Sequence, residues 1–307
     1  MAAAHQIRPP KLTSADLPLA FHTADRSSLS AQRRFLIAVR FRLTALVAAG
    51  AFGLATWKYG TRQVDWAGFL AALCFFSAVL VEAYVLKARP ERTWYEGRAA
   101  AESLKTLSWR YAVGGEPFGL GMAAEGEVDT LFLRQISEVV EELRELDLSL
   151  GSLDEQQITQ GMRRLRSAEL LERKQAYERD RVVEQQGWYR RKSAWNSRRA
   201  SQWTIAMLAI EIGGLASAIL KAMGVIEGDL LIFSGVLLGS AFAWLETKQH
   251  RTLATAYAVT STELASVRTK IAPQATEKHW AAFVAEAEGA FSREHTLWKA
   301  SRGVRST

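Results

Sequence analysis

Trp66 to Leu86 is a run of twenty-one residues in which Glu82 is the only charged one. A bilayer hydrocarbon core of about 30 Å takes roughly 20 mostly apolar residues as helix. A helix on a soluble core needs only one apolar stripe, so this run constrains the chain more than any average does. The averages look soluble, with charged residues at 23% and mean hydropathy of −0.05. They hide a concentration of apolar residues into four blocks. Trp203 to Leu220 is the second full-length block, with Glu211 as its only charge. Leu43 to Trp57 is shorter, but Phe35 to Val39 extends it backwards through Arg40 and Arg42, whose stems reach the interface. Leu230 to Leu245 gains length from the polar turn that follows it. The blocks fall in two close pairs, each long helix needing an antiparallel return. The expected fold is therefore an all-α integral membrane protein, with four transmembrane helices as two hairpins and long cytosolic helical extensions.

Lys and Arg near span ends set orientation. Arg33, Arg34, Arg40 and Arg42 precede the first block, and Lys87, Arg89, Arg92 and Arg98 follow the second. Arg190, Arg191, Lys192, Arg198 and Arg199 precede the third, and Lys248 and Arg251 follow the fourth. The hairpin turns hold Lys58, Arg62 and Lys221, so fifteen basic residues stand against three. Both termini and the middle segment are expected in the cytoplasm. The same placement accounts for the net charge of +7 without a nucleic-acid partner. The lone Cys74 lies inside the second block and supports no disulfide framework, and the five histidines lack metal-ligand spacing. The first residues, to about 34, are polar with Pro9, Pro10 and Pro18, which reads as a flexible cytosolic tail rather than a signal peptide.

A shift of 161 residues lays the first hairpin on the second, placing Lys87 on Lys248 and Glu102 on Glu263. The repeat is one of pattern and spacing rather than identity. In the first copy the helix leading into the membrane is expected to be short. In the second it is expected to run unbroken from about Leu170 into the third span, with Gly187 as its only glycine before Trp203. Gly114-Gly115-Glu116-Pro117 should end the helix after the first hairpin, and another should resume near Glu127 with a stripe of Leu131, Ile136, Val139, Val140 and Leu143. Ser152 and Glu155 match a capping box. Trp280, Phe283, Val284, Ala287, Phe291, Leu297 and Trp298 predict an amphipathic C-terminal helix. It either packs on the helices of its own copy or lies on a membrane surface.

Glu211 and Glu82 are the intramembrane carboxylates, and such groups cost about 2.5–3.5 kcal/mol at a span centre on insertion scales. Glu211 either lines an ion path, with Ser217, or makes one interhelical hydrogen bond. Glu82 lies at the depth of Arg40 and Arg42 on the antiparallel partner, where a salt bridge is expected. Gly53, Gly213, Gly235 and Gly239 stand at small-residue spacings that allow close helix approach. They either seal the four-helix unit or join protomers. Arg190, Arg191, Lys192, Arg198 and Arg199, among Trp188, Tyr189 and Trp195, would hold anionic lipid headgroups or an anionic ligand. The glycines from Gly114 to Gly121 lack the Gly-Lys-Ser/Thr ending of a phosphate loop. No nucleophile, zinc or dinucleotide motif occurs, so no cofactor and no catalytic residue is expected.

The run Trp94-Tyr95-x-x-Arg98-Ala99-x-Ala101-Glu102-x-x-Lys105, continued by Trp109-Arg110-Tyr111-Ala112 and Glu116-Pro117-Phe118, resembles the helix after the hairpin in SLATT-domain proteins, the SMODS- and SLOG-associating two-transmembrane effectors. Tyr177-x-x-Asp180-Arg181-x-x-x-Gln185 with Trp188-Tyr189-x-x-Lys192 and Trp195-Asn196 extends the likeness. So do Glu246-x-Lys248-x-His250, Tyr257-x-x-Thr260-x-x-Glu263-Leu264, Trp280-x-x-Phe283-Val284 and Ser292-Arg293-Glu294-His295-Thr296-x-x-Trp298. The likeness covers about Phe35 to Arg302 as two units in tandem. It divides the chain into a tail (1–34), a first two-span unit (35–118), a helical connector (119–169) and a second two-span unit (170–307). The resemblance implies an oligomeric channel or pore-forming effector of a bacterial defence system in the inner membrane, gated by a nucleotide second messenger or a sensor protein. A non-conducting membrane scaffold that docks a cytosolic partner is the alternative.

Overall fold

A computed structural model describes residues 10–61, 63–121, 124–144 and 157–301. These form ten α-helical segments, one π-helical stretch, a short 3-10 helix at Ser14–Asp16 and one short β-hairpin. The first hairpin comprises α1 (Leu19–Leu54) and α2 (Trp66–Ala88), and α3 (Pro90–Val113) follows it. Next come α4 (Glu125–Arg144), α5 (Gln160–Arg166) and α6 (Leu170–Ala176). A π-helical stretch, Tyr177–Val183, joins α6 to α7 (Glu184–Ala222), so one helix runs from Leu170 to Ala222. The chain returns as α8 (Leu230–Lys248) and continues as α9 (His250–Thr269) and α10 (Glu277–Ser301).

The four apolar blocks coincide with four helices long and apolar enough to cross a membrane. Asp65 starts α2: its Oδ1 accepts the amides of Ala67 at 3.1 Å and Gly68 at 3.4 Å, satisfying donors that a helix start leaves open. The amide of Trp57 also donates to it, across the two-residue strands β1 (Lys58–Tyr59) and β2 (Val64–Asp65). The second helix of each hairpin ends alike. Arg89 and Gln249 both adopt left-handed backbone, with φ of 40° and 46°, and each amide donates to the carbonyl four residues back, Val85 or Leu245. The tandem repeat therefore extends to the turn that leads out of each hairpin.

Three expectations change. The segment before the first span is no flexible tail over its described part: α1 starts at Leu19, and Leu12, Leu17, Ala20 and Ala24 are buried. Its apolar residues are sparse enough to read as polar sequence but recur on one helical face. The first lead-in is accordingly long, like the second. Third, the C-terminal helix does not pack on its own copy alone. Trp280 donates Nε1–H to the carbonyl of Val113 at 2.7 Å and meets the ring of Tyr177 edge-on, so α10 joins residues of both repeats. The break at Gly114, with φ of +74°, occurs as expected, as does the apolar stripe of α4 through Ile136 and Val140. The Ser152–Glu155 capping box lies outside the described residues, as do the side chains of Leu143, Phe291, Leu297 and Trp298.

The chain divides into two compact units, and neither is one repeat. The core unit takes the described parts of Met1–Ser30, Arg92–Lys192 and Ala256–Thr307, and the span unit takes Ala31–Glu91 and Ser193–Thr255. The core unit buries Leu104, Trp109, Phe118, Phe132, Met162 and Trp280 in one cluster.

Candidate functional site

Within the span unit, α8 meets both long helices through glycines that the spacing did not single out. A Cβ added at Gly50 of α1 would lie 3.3 Å from Val236, and one at Gly214 of α7 would lie 3.1 Å from Ser234. Backbones approach closely there because lipid tails give little hydrophobic reward for association and packing must supply it. Gly53, Gly213, Gly235 and Gly239 do not seal the unit: an added Cβ at any of them meets nothing within 4 Å. Small-residue spacing shows which residues share a helix face, not which face meets a neighbour.

The intramembrane polar residues separate. Glu82 pairs with Arg42 across α1 and α2, as their matched depth predicts. Arg40 lies instead over the ring of Trp244, 4.9 Å from its centroid. Ser217 is buried and donates to the carbonyl of Gly214 at 2.8 Å, so its hydroxyl is satisfied within its own helix. Glu211 is exposed on α7, on the face that presents Leu208 and Leu215 at 54% and 62% exposure. A groove of about 830 Å³ runs along α1, α2 and α8, from Arg42 to Glu227 and Asp229. Its middle is lined by Leu46, Phe75 and Phe233, which disfavours a continuous water path through one chain.

The basic run on α7 is exposed at Arg190, Arg191, Lys192, Arg198 and Arg199. Lys192 and Arg199 lie over the rings of Trp188 and Trp195, at 5.7 and 5.6 Å. Where span four ends, His250 is buried, and its Nδ1 lies 2.8 Å from Oδ1 of Asn196.

The core unit holds a charge network that the sequence did not reveal. Arg166, Arg173 and Arg181 are all nearly fully buried. Arg166 donates Nη1–H to the carbonyls of Tyr111 and Phe118 at 3.0 and 2.7 Å, and Arg173 donates Nη1–H to that of Val113 at 2.8 Å. The contacts to Tyr111 and Val113 cap the negative end of α3, where the last carbonyls lack intrahelical partners, and the one to Phe118 ties down the turn that follows. Arg181 grips Glu288 with both ends of its fork, at 2.6 and 2.9 Å, and both residues are within 1% of complete burial. The carboxylate also accepts from Tyr177 at 2.9 Å and Thr106 at 3.0 Å. Burial opposes the Arg181 charge, but Glu288 outweighs it and holds the guanidinium above its ordinary range. Burial and then Glu288 push the Tyr177 phenol well above its ordinary value. The π-helical stretch contributes here, since it turns Tyr177, Asp180, Arg181 and Val182 all inward. The Arg–Glu partners stand 107 residues apart. The one visible signal was three arginines recurring at seven- and eight-residue intervals.

Among the described residues no group of His, Cys, Asp and Glu is arranged to hold a metal ion. These features define a multi-pass helical membrane protein built from two hairpin repeats. Residues 18–174 match the SMODS and SLOG-associating 2TM effector domain 3, and residues 177–298 match effector domain 1. The chain belongs to the SLATT family, as two such domains in tandem. The first match includes the stretch read as a connector and begins near the start of α1. No curated protein and no solved structure matches the chain. The family is one of membrane effector domains rather than a known enzyme family.

Proposed function

We propose that this membrane effector is a subunit of an oligomeric channel or pore in a bacterial inner membrane. Both termini are cytoplasmic, and the channel opens when a nucleotide second messenger or a sensor protein engages the core unit in a defence response. The carrying observation is Glu211. A carboxylate on the outer, otherwise apolar face of α7 is costly against lipid. Assembly removes that cost if Glu211 turns towards water between protomers. The open faces at Gly53, Gly213, Gly235 and Gly239 supply surfaces on which helices of neighbouring copies pack closely. From Glu184 to Ala222 the helix is regular α and would carry a signal into span three, because helices bend sharply only at identifiable breaks and the π-helical stretch Tyr177–Val183 lies before it. Ligand binding shifts the closed–open equilibrium only by its differential affinity for the two states.

Glu211→Gln should change ion selectivity or its pH dependence in reconstituted bilayers while insertion and assembly persist. Currents identical to wild type would sink the lining role. Replacing Cys74 by Ser and Gly239 by Cys should give a protein that crosslinks to a second copy in native membranes, and a chain that stays monomeric refutes the assembly. The alternative, a non-conducting scaffold, draws support from the satisfaction of Glu82 and Ser217 within the chain. It predicts no leakage under any signal, with partner capture intact. Neither reading assigns the chain an enzymatic role.

A further inference from the structure

A second pocket in the span unit, about 460 Å³, lies between α7 and α9 and has a different character from the apolar groove. Ser197, Ser201 and Thr204 line it from α7, and Arg251 and Thr255 from α9. Arg251 donates Nη2–H to Oγ1 of Thr204 at 2.9 Å. Among the described residues no carboxylate pairs with this guanidinium, and no carboxylate lines the pocket. The hydroxyls of Ser197 and Ser201 likewise have no hydrogen-bond partner among the described residues. Beside it the helices are fixed by the Asn196–His250 contact and by Ser193, whose hydroxyl donates to the carbonyl of Ala254 at 2.7 Å. An uncompensated guanidinium converging with hydroxyl donors on held helices is the donor set for a phosphoryl group, which offers several acceptor oxygens and negative charge.

We propose that this pocket binds a phosphoryl anion, through Arg251 with Ser197 and Ser201, while Thr204, whose hydroxyl donates to the carbonyl of Ala200 at 3.0 Å, holds the guanidinium in place. Its placement favours a lipid headgroup as the source. Thr204 directly follows Trp203, the aromatic residue that opens the third apolar block, and Arg251 stands three residues beyond Lys248 at the end of α8. Aromatic residues mark the headgroup level, and anionic lipid there attracts basic side chains. Of the stretch 190–199 only Ser197 lines the site and none of its basic side chains does, and the site stands whether or not the protein conducts.

Full-length protein reconstituted in nanodiscs of equal phosphatidylglycerol and phosphatidylcholine is released into the gas phase, and the lipid it retains is weighed by native mass spectrometry. Wild type should retain one phosphatidylglycerol in preference to phosphatidylcholine. Arg251→Gln should lower that retention about fivefold, the factor that corresponds to about 1 kcal/mol per basic charge. Ser197→Ala with Ser201→Ala, which removes only exposed hydroxyls, should lower it about twofold, whereas Arg134→Gln, exposed on α4 of the core unit, should leave it unchanged. A parallel titration with inorganic phosphate in detergent separates the sources. Phosphate binding that Arg251→Gln abolishes, without lipid preference, upholds the site and assigns it a soluble ligand. Equal lipid retention and equal phosphate binding in wild type, Arg251→Gln and the double-alanine variant overturn the proposal.

Discussion

In the core unit the least exposed residues include Arg173, Arg181 and Glu288 alongside Trp280 and Phe132. In the span unit they are mostly alanines, at 31, 38, 45, 49, 67, 78, 200 and 241, while Phe69, Phe76, Ile212 and Leu215 face outwards. Water makes apolar burial favourable around the core unit, and the large core it yields shelters the Arg181–Glu288 ion pair. Lipid removes that reward, so the span unit places small residues inside and its bulk outside. The two units thus resist different insults: lost ion pairing in one, lost closeness in the other.

The largest effect should come from unpairing the core. Glu288→Gln should destabilise the core unit by about 3–5 kcal/mol, because it strands a buried guanidinium. Replacing both Arg181 and Glu288 by Met should recover most of that loss. Urea unfolding of the detergent-solubilised chain, followed by near-ultraviolet circular dichroism, reads both. A double variant as unstable as the single one would mean that volume, not charge, matters at this position.

Tyr177→Phe removes one hydrogen bond to a charged group, worth about 1.5–3 kcal/mol, and sharpens the comparison through pH. Because burial and Glu288 raise the folded-state pKa of Tyr177 above 10.0, its contribution is fully present below that pH. It is lost as pH rises beyond, where only the unfolded chain releases the proton. The variant should therefore lose stability near neutrality but show a shallower alkaline decline. An unaltered slope between pH 9 and 11 would contradict this. Tyr111, raised by burial and its bond to Asp129, stays in the variant as a remaining alkaline-sensitive group.

The span unit should answer to closeness. Gly214→Leu forces side-chain volume against Ser234 and should cost about 1–3 kcal/mol. Gly239→Leu, into open space, should leave unfolding of the single chain unchanged. Thermal melts in detergent compare the two, and equal losses would show that Gly239 is packed within one chain.

Several features were legible in advance because they depend on local pattern. Block length and the single charges within them predicted the spans. Hairpin geometry predicted the Glu82–Arg42 pair, since antiparallel helices bring residues of equal depth together. The tandem family assignment came from motifs that recur beside each hairpin. The packing glycines were misplaced because Gly50 and Gly214 carry no better spacing than Gly53 and Gly213.

The sequence by itself determined four spans, two repeats and the family, since apolar length and residue order need no knowledge of distant partners. Only the tertiary structure decided that both repeats share each unit, that Glu288 meets Arg181, and that Glu211 is left outside while Ser217 is not. Those outcomes depend on which helix faces meet across more than a hundred residues. A periodicity repeats equally well on every rotation of a helix, so it cannot choose among the faces, whereas packing must.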